Sequence, residues 1–202
     1  MNEAARLKAA ALCYWRYDRQ FPLVALEASY CGTADVLAVS RARRLVETEV
    51  KISLRDLRAD IKKEKHLWLR EAYLAKNPVQ VPLFEPSEWK KARRRVALWR
   101  LPQSYPVAQF YFAVPLDLVP QSQPVIADLY PYAGLLSVGT AWEQGAGVVE
   151  VVRKAYEFPR QKVPLSRLDR LVRDVSATVC RLALANYRLA NNGKEVRDVQ
   201  EV

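Results

Sequence analysis

Residues 34–53 read ADVLAVSRARRLVETEVKIS. Two apolar runs, 34–40 and 45–52, flank the basic turn Arg41-Ala42-Arg43-Arg44, so the stretch predicts a β-hairpin. Charged residues interrupt it, among them Asp35, which opens the first strand, and Glu49 and Lys51, which lie two apart in the second. Residues two apart in a strand share a face, so Glu49 and Lys51 point the same way, and the hairpin can bring Asp35 beside Glu49. Two carboxylates at that spacing repel unless a cation lies between them.

The neighbouring segments follow from the same periodicity arguments. Residues 3–19 predict a helix, with Leu7, Ala10, Ala11, Tyr14 and Tyr17 on one stripe and Pro22 beyond its end. Residues 22–30 predict a strand in which Glu27 is the misfit. After the hairpin the period changes. Ser53 followed by Asp56 reads as a helix start, and Leu54, Leu57, Ile61 and Trp68 predict one helix over about 53–75. The span 76–107 is rich in proline and in basic residues and predicts an irregular insertion with one short helix near 87–97. Strands are predicted at 108–114, 133–140 and 147–158, and a long helix from Ser166 to about 190. The order helix, three strands, helix, insertion, three strands, helix implies one α/β domain over 1–202 with a mixed sheet flanked by helices and an α-β-β-β-α-β core.

Composition bounds the function. The formal net charge is +10 and the sequence pI about 9.6. Such a balance favours a polyanionic partner and says nothing of fold. Cys13, Cys31 and Cys180 are odd in number and lack CxxC spacing, which argues against a disulfide framework and structural zinc. His66 is the only histidine, which excludes HExxH and histidine-rich metal sites. No signal peptide and no apolar run long enough to span a bilayer is present, so a cytoplasmic protein is expected.

An acid-x-Lys tripeptide alone carries little information, since Asp60-Ile61-Lys62 and Glu88-Trp89-Lys90 match it too. Only Glu49-Val50-Lys51 lies in a predicted strand, preceded by the Asp35 strand and followed by a helix. In that context two carboxylates suit Mg²⁺ or Mn²⁺, hard ions that take oxygen ligands, polarise a phosphoryl oxygen and activate water. A lysine beside them can orient that water or stabilise the charge of the transition state.

ADVLAVS followed by ETEVKIS resembles the Asp…Glu-x-Lys core of the PD-(D/E)xK nuclease superfamily. The chain is most similar to the MmcB-like DNA-repair proteins within it. The resemblance rests on Glu27, KISLRDLRADIK (51–62), YFAVP (111–115), AGLLSV (133–138) and the helix from 166. It departs in the long basic insertion of 76–107 and in Leu57, where an aromatic residue is usual. It implies a restriction-endonuclease-like fold and metal-dependent DNA cleavage, endonucleolytic rather than exonucleolytic, in repair, replication or mobile-element processing. By the same resemblance Asp35, Glu49 and the Val50 carbonyl are the metal ligands, Lys51 the catalytic lysine and Glu27 an accessory carboxylate. The alternative is a nuclease-fold module that binds DNA or a protein partner without cutting.

Basic residues extend the expected DNA surface. Arg55, Arg58, Lys62 and Lys65 fall on one stripe of the predicted helix 53–75, the spacing of a phosphate track, and the lone His66 that follows either faces nucleic acid or is incidental, as lone histidines more often are. Lys90, Lys91, Arg93, Arg94 and Arg95, between Trp89 and Trp99, form the densest basic cluster. Phe110, Tyr111 and Phe112 read as strand core. No membrane partner is expected, and a homodimer would suit an enzyme that cuts both strands.

Overall fold

The computed structural model describes residues 3–29, 33–77, 87, 105–139, 148–159 and 162–198. They divide into two compact units, residues 1–163 and 164–202. The first holds a sheet of six strands in sequence order: β1 (Leu23–Ser29), β2 (Thr33–Val39), β3 (Leu45–Val50), β4 (Gln109–Pro115), β5 (Gly134–Val138) and β6 (Val149–Arg153). β1, β2 and β3 form an antiparallel meander. β3–β4 and β4–β5 are parallel, and β6 returns antiparallel to β5. The mixed α/β sheet expected from the sequence is therefore the observed one.

Parallel strands are reached through crossovers and are covered on both faces. The β3–β4 crossover carries α2 (Leu54–Ala59) and α3 (Glu64–Leu74). The β4–β5 crossover carries α4 (Val119–Leu129), an element absent from the sequence-based order. Its sequence, VPQSQPVIADL, hides the helix behind two prolines. Pro120 sits in the first turn, where a missing N–H costs nothing, whereas Pro124 lies inside the helix.

On one face of the sheet lies α1 (Glu3–Cys13), continued by a π-helical turn at Tyr14–Asp18. Leu7, Ala10, Ala11, Tyr14 and Trp15 pack there with Val36, Ala38, Val46, Val50, Tyr111, Ala113 and Leu136. The Trp15 indole N–H donates to Thr48 Oγ1 at 3.0 Å, which fixes the even-numbered residues of β3 on the α1 side. The opposite face buries Phe110, Phe112, Tyr130, Tyr132, Phe158 and Leu135. Phe110, Tyr111 and Phe112 are all core, as expected.

The expected single helix over 53–75 is broken. Ser53 caps α2 by accepting the Asp56 N–H at 3.1 Å, as its position predicts. After α2 comes a 3₁₀ turn at Asp60–Lys62, and Lys63 is extended, with ψ of 135°. The break resets the helical phase. Arg55, Arg58 and Lys62 remain exposed, but Lys65 and His66 now face inward and are buried. The apolar spacing concealed this, because no apolar residue falls between Ile61 and Leu67 to show the change of phase.

The second unit is the helix α5 (Leu165–Asp198), the element expected over 166–190. Most of the insertion expected over 76–107, with Lys90, Lys91, Arg93, Arg94 and Arg95, lies outside the described residues. Among the described residues no helix is long and apolar enough to cross a membrane. Cys13 and Cys180 are free thiols.

Candidate active site

The candidate residues lie where antiparallel pairing gives way to parallel pairing, at the carboxyl ends of β3 and β4. In open α/β sheets that end is where ligands bind. The β1–β2 ladder pairs Leu26 with Val36 and Ala28 with Ala34, so Glu27 lies across from Asp35. The β2–β3 ladder pairs Val36 with Thr48, and one further step in that register sets Asp35 across from Glu49. By register, Glu27, Asp35 and Glu49 fall at corresponding positions of three adjacent strands, Asp35 and Glu49 one step beyond the last β2–β3 pair.

The β2–β3 ladder stops short of this row. Val50 donates its N–H to Asp35 Oδ2 at 2.8 Å, so a side chain takes the place of a backbone acceptor. Lys51 N–H turns to Ala113 O on β4 at 2.9 Å. Glu27 has a φ of 50°, a left-handed conformation that a non-glycine residue adopts at a cost of roughly 1–3 kcal/mol. Such strain collects at functional sites.

The two halves of the row are held by different lysines. Lys8 of α1 binds Asp35 Oδ1 at 2.9 Å and Glu27 Oε1 at 3.0 Å. These two carboxylates raise the Lys8 pKa, the hydrogen bond to Asp35 contributing most. Glu49 is buried, and its Oε2 receives Lys63 at 2.9 Å and Lys51 at 3.4 Å. Its Oε1 receives Lys65 at 2.5 Å. Burial pushes the Glu49 carboxyl upward, but the charge of Lys65 and the hydrogen bonds from Lys63 and Lys65 outweigh it, so its pKa is lowered.

Three further buried residues complete the cluster, and sequence reasoning selected none of them for this site. Glu47, two before Glu49 on the same face, takes Lys65 on Oε1 and the Tyr105 hydroxyl on Oε2, both at 2.5 Å. Its burial dominates those partners and raises its pKa. Asp60 binds both Lys51 and Lys63 through Oδ1 at 2.6 Å. His66, fully buried, reaches Asp60 Oδ2 through Nε2 at 2.6 Å and Tyr132 Oη through Nδ1 at 2.7 Å. Burial lowers the His66 pKa, although Asp60 opposes it. Burial alone would raise the Asp60 carboxyl, but His66 and Lys51 overcome it and hold Asp60 well below the usual carboxylate range.

Two expectations about the basic stripe are corrected. Lys65 is not on a phosphate track, because it bridges Glu47 and Glu49 inside the protein. His66 does not face nucleic acid, because Phe110, Phe112 and Tyr130 enclose its ring at 5.1, 5.7 and 5.0 Å. Lys63, with a side chain 45% exposed, is the cation of this cluster that reaches solvent. The alternation Glu47-x-Glu49-x-Lys51 was a readable signal for Glu47. Asp60 lies in the segment KISLRDLRADIK and in an acid-x-Lys tripeptide, but neither pointed to this cluster, and nothing local in the sequence marks Lys8 or Tyr132.

The donor chemistry of the row suits a hard divalent ion, since its side chains offer only carboxylate oxygen. The oxygens are engaged, however. Asp35 uses both of its oxygens on Lys8 and Val50, and Glu49 both of its own on lysines. Among the described residues no three His, Cys, Asp or Glu side chains are gathered to hold an ion together.

No family model and no curated protein matches the chain. A solved structure, a protein of unknown function from Silicibacter pomeroyi, is similar to it at 17% identity with a TM-score of 0.50. The match covers 90% of this chain and 88% of that one. At that identity the likeness shows the fold alone.

Proposed function

We propose that this protein is a metal-dependent nuclease that hydrolyses DNA phosphodiester bonds, an endonuclease of the PD-(D/E)xK kind. The observation that carries the reading is the cross-strand row Glu27, Asp35 and Glu49, with Lys51 beside it at the carboxyl ends of the parallel strands. Asp35 and Glu49, with the carbonyl of Val50, would hold Mg²⁺ or Mn²⁺. The ion, when bound, polarises the scissile phosphate and lowers the pKa of an attacking water. For it to enter, Lys8 has to release Asp35, and Lys63 and Lys65 have to release Glu49. Lys51 orients the attacking water and stabilises charge on the phosphate. Arg55, Arg58, Lys62 and the freed Lys63 hold the DNA backbone.

The lysine occupancy of Glu49 favours a second reading, a nuclease-fold module that binds DNA without cutting it. One assay separates the two. Supercoiled, linear and single-stranded DNA are incubated with Mg²⁺ or Mn²⁺ and the wild type, Lys51→Ala or Asp35→Ala. Cleavage by the wild type alone supports the enzyme. Salt-sensitive binding with no cleavage by any form rejects it in favour of the binding module.

A further inference from the structure

Lys51 is the residue on which the proposed chemistry turns, yet its own strand does not fix it. A lysine ammonium rides on four flexible carbons. Its contact with Glu49, two residues away on the same face, is long at 3.4 Å, and Asp56 is 4.0 Å away. The short contact, 2.6 Å, is to Asp60 Oδ1. We propose that Asp60 is the positioning residue for Lys51, anchored by the buried chain Asp60–His66–Tyr132. This proposal rests on the nuclease reading for its functional meaning, not for its geometry.

The hydrogen-bond roles along the chain follow from the ionised state of Asp60. An ionised carboxylate only accepts, so the proton of His66 is on Nε2 and is donated to Asp60 Oδ2. Nδ1 is then the acceptor for the Tyr132 hydroxyl. Four rings hold the imidazole: Phe110, Phe112, Tyr130 and Tyr132, with centroids 5.0–6.3 Å away. One oxygen of Asp60 is thereby locked into the aromatic core, and the other faces Lys51 and, from the solvent side, Lys63, each at 2.6 Å. The break between α2 and α3 makes this arrangement possible. Asp60 begins the 3₁₀ turn, and the reset at Lys63 brings His66 inward beneath it.

The test uses the full chain, Asp60→Asn and Tyr132→Phe. Because His66 is the only histidine, its imidazole nitrogen signals in NMR need no assignment. The wild type should show a single tautomer protonated on Nε2. Lys51 placement is read by amine labelling with mass spectrometry, with exposed Lys62 as the internal reference. Asp60→Asn should raise Lys51 labelling about tenfold relative to Lys62, and Tyr132→Phe by a smaller factor with a shifted Nδ1 signal. In the cleavage assay, Asp60→Asn should lower kcat by about 10²-fold while KM changes less than about twofold. Lys51 labelling unchanged in both variants would overturn the proposal. If Asp60→Asn fails to fold, Tyr132→Phe alone decides. A wild type that cleaves no DNA rejects the nuclease reading, and the labelling result still decides whether Asp60 holds Lys51.

Discussion

Replacing Lys65 by methionine is the sharpest test of the buried charge cluster. The Lys65 ammonium lies 2.5 Å from both Glu47 Oε1 and Glu49 Oε1, and all three side chains are at most 8% exposed. Glu47, Glu49 and Asp60 face the ammonium groups of Lys51, Lys63 and Lys65, a balanced set. Lys65→Met keeps most of the volume but leaves one buried negative charge uncompensated. Removing one partner of a buried pair costs about 3–5 kcal/mol. The loss should depend on pH. Burial already raises the Glu47 pKa, and without Lys65 it rises further, so Glu47 takes up a proton as the pH falls and the penalty shrinks. Urea unfolding of wild type and variant at pH 8 and pH 5 measures both quantities. Glu47→Gln combined with Lys65→Met should recover part of the loss at pH 8. A penalty below about 1 kcal/mol, together with weakened DNA binding, would rule out the buried bridge and return Lys65 to a phosphate-binding surface.

Further outcomes follow from other parts of the molecule. A Cβ on Gly134 would collide with the Tyr111 ring and lie 2.7 Å from the Ala155 backbone nitrogen, so Gly134→Ala should cost about 1–3 kcal/mol in urea unfolding. The folded-state pKa of His66 is lowered, so only the unfolded chain gains that proton near pH 6.5. His66 therefore contributes a loss of up to about 1.4 kcal/mol per pH unit below about 6.5, which the raised Glu47 pKa opposes, so the direct check is the His66 ring signals in NMR: they should not titrate between pH 7 and 5.5, and titration there would contradict a neutral buried imidazole. Arg55, Arg58 and Lys62 are exposed, so changing all three to alanine should leave stability within about 1 kcal/mol. If they touch phosphates, the slope of log K against log salt for duplex DNA should shrink by about 0.9 for each phosphate no longer neutralised.

The order of the strands in the sheet was not read, but the strands and their positions along the chain were legible because each alternates apolar and polar residues or is wholly apolar and bounded by turn residues. The same holds for α1 and the start of α2, where Ser53 supplies the cap. α4 was hidden because its two prolines resemble loop punctuation, although only Pro124 breaks the helical pattern. The phase reset at Lys63 was illegible because tertiary ion pairs, not local propensity, make it worthwhile: Lys63 binds Asp60 and Glu49, and Lys65 binds Glu47 and Glu49. At the site, strand alternation placed Glu49 and Lys51 on one face, and the β2–β3 register set Asp35 across from Glu49. The lysines that clamp these carboxylates come from distant positions, Lys8 from α1 and Lys63 and Lys65 from the other side of the crossover, and such contacts have no local signature.

If the nuclease reading holds, Asp35 and Glu49 are metal ligands that lysines keep in reserve. Mn²⁺ binding followed by electron paramagnetic resonance, on the wild type, Asp35→Asn and Glu49→Gln, decides this. The expected result is one bound Mn²⁺ per chain in the wild type and its loss in either variant, with both variants folded. Equal Mn²⁺ binding by all three proteins, or none by the wild type, would show that these carboxylates serve the lysines and not a metal.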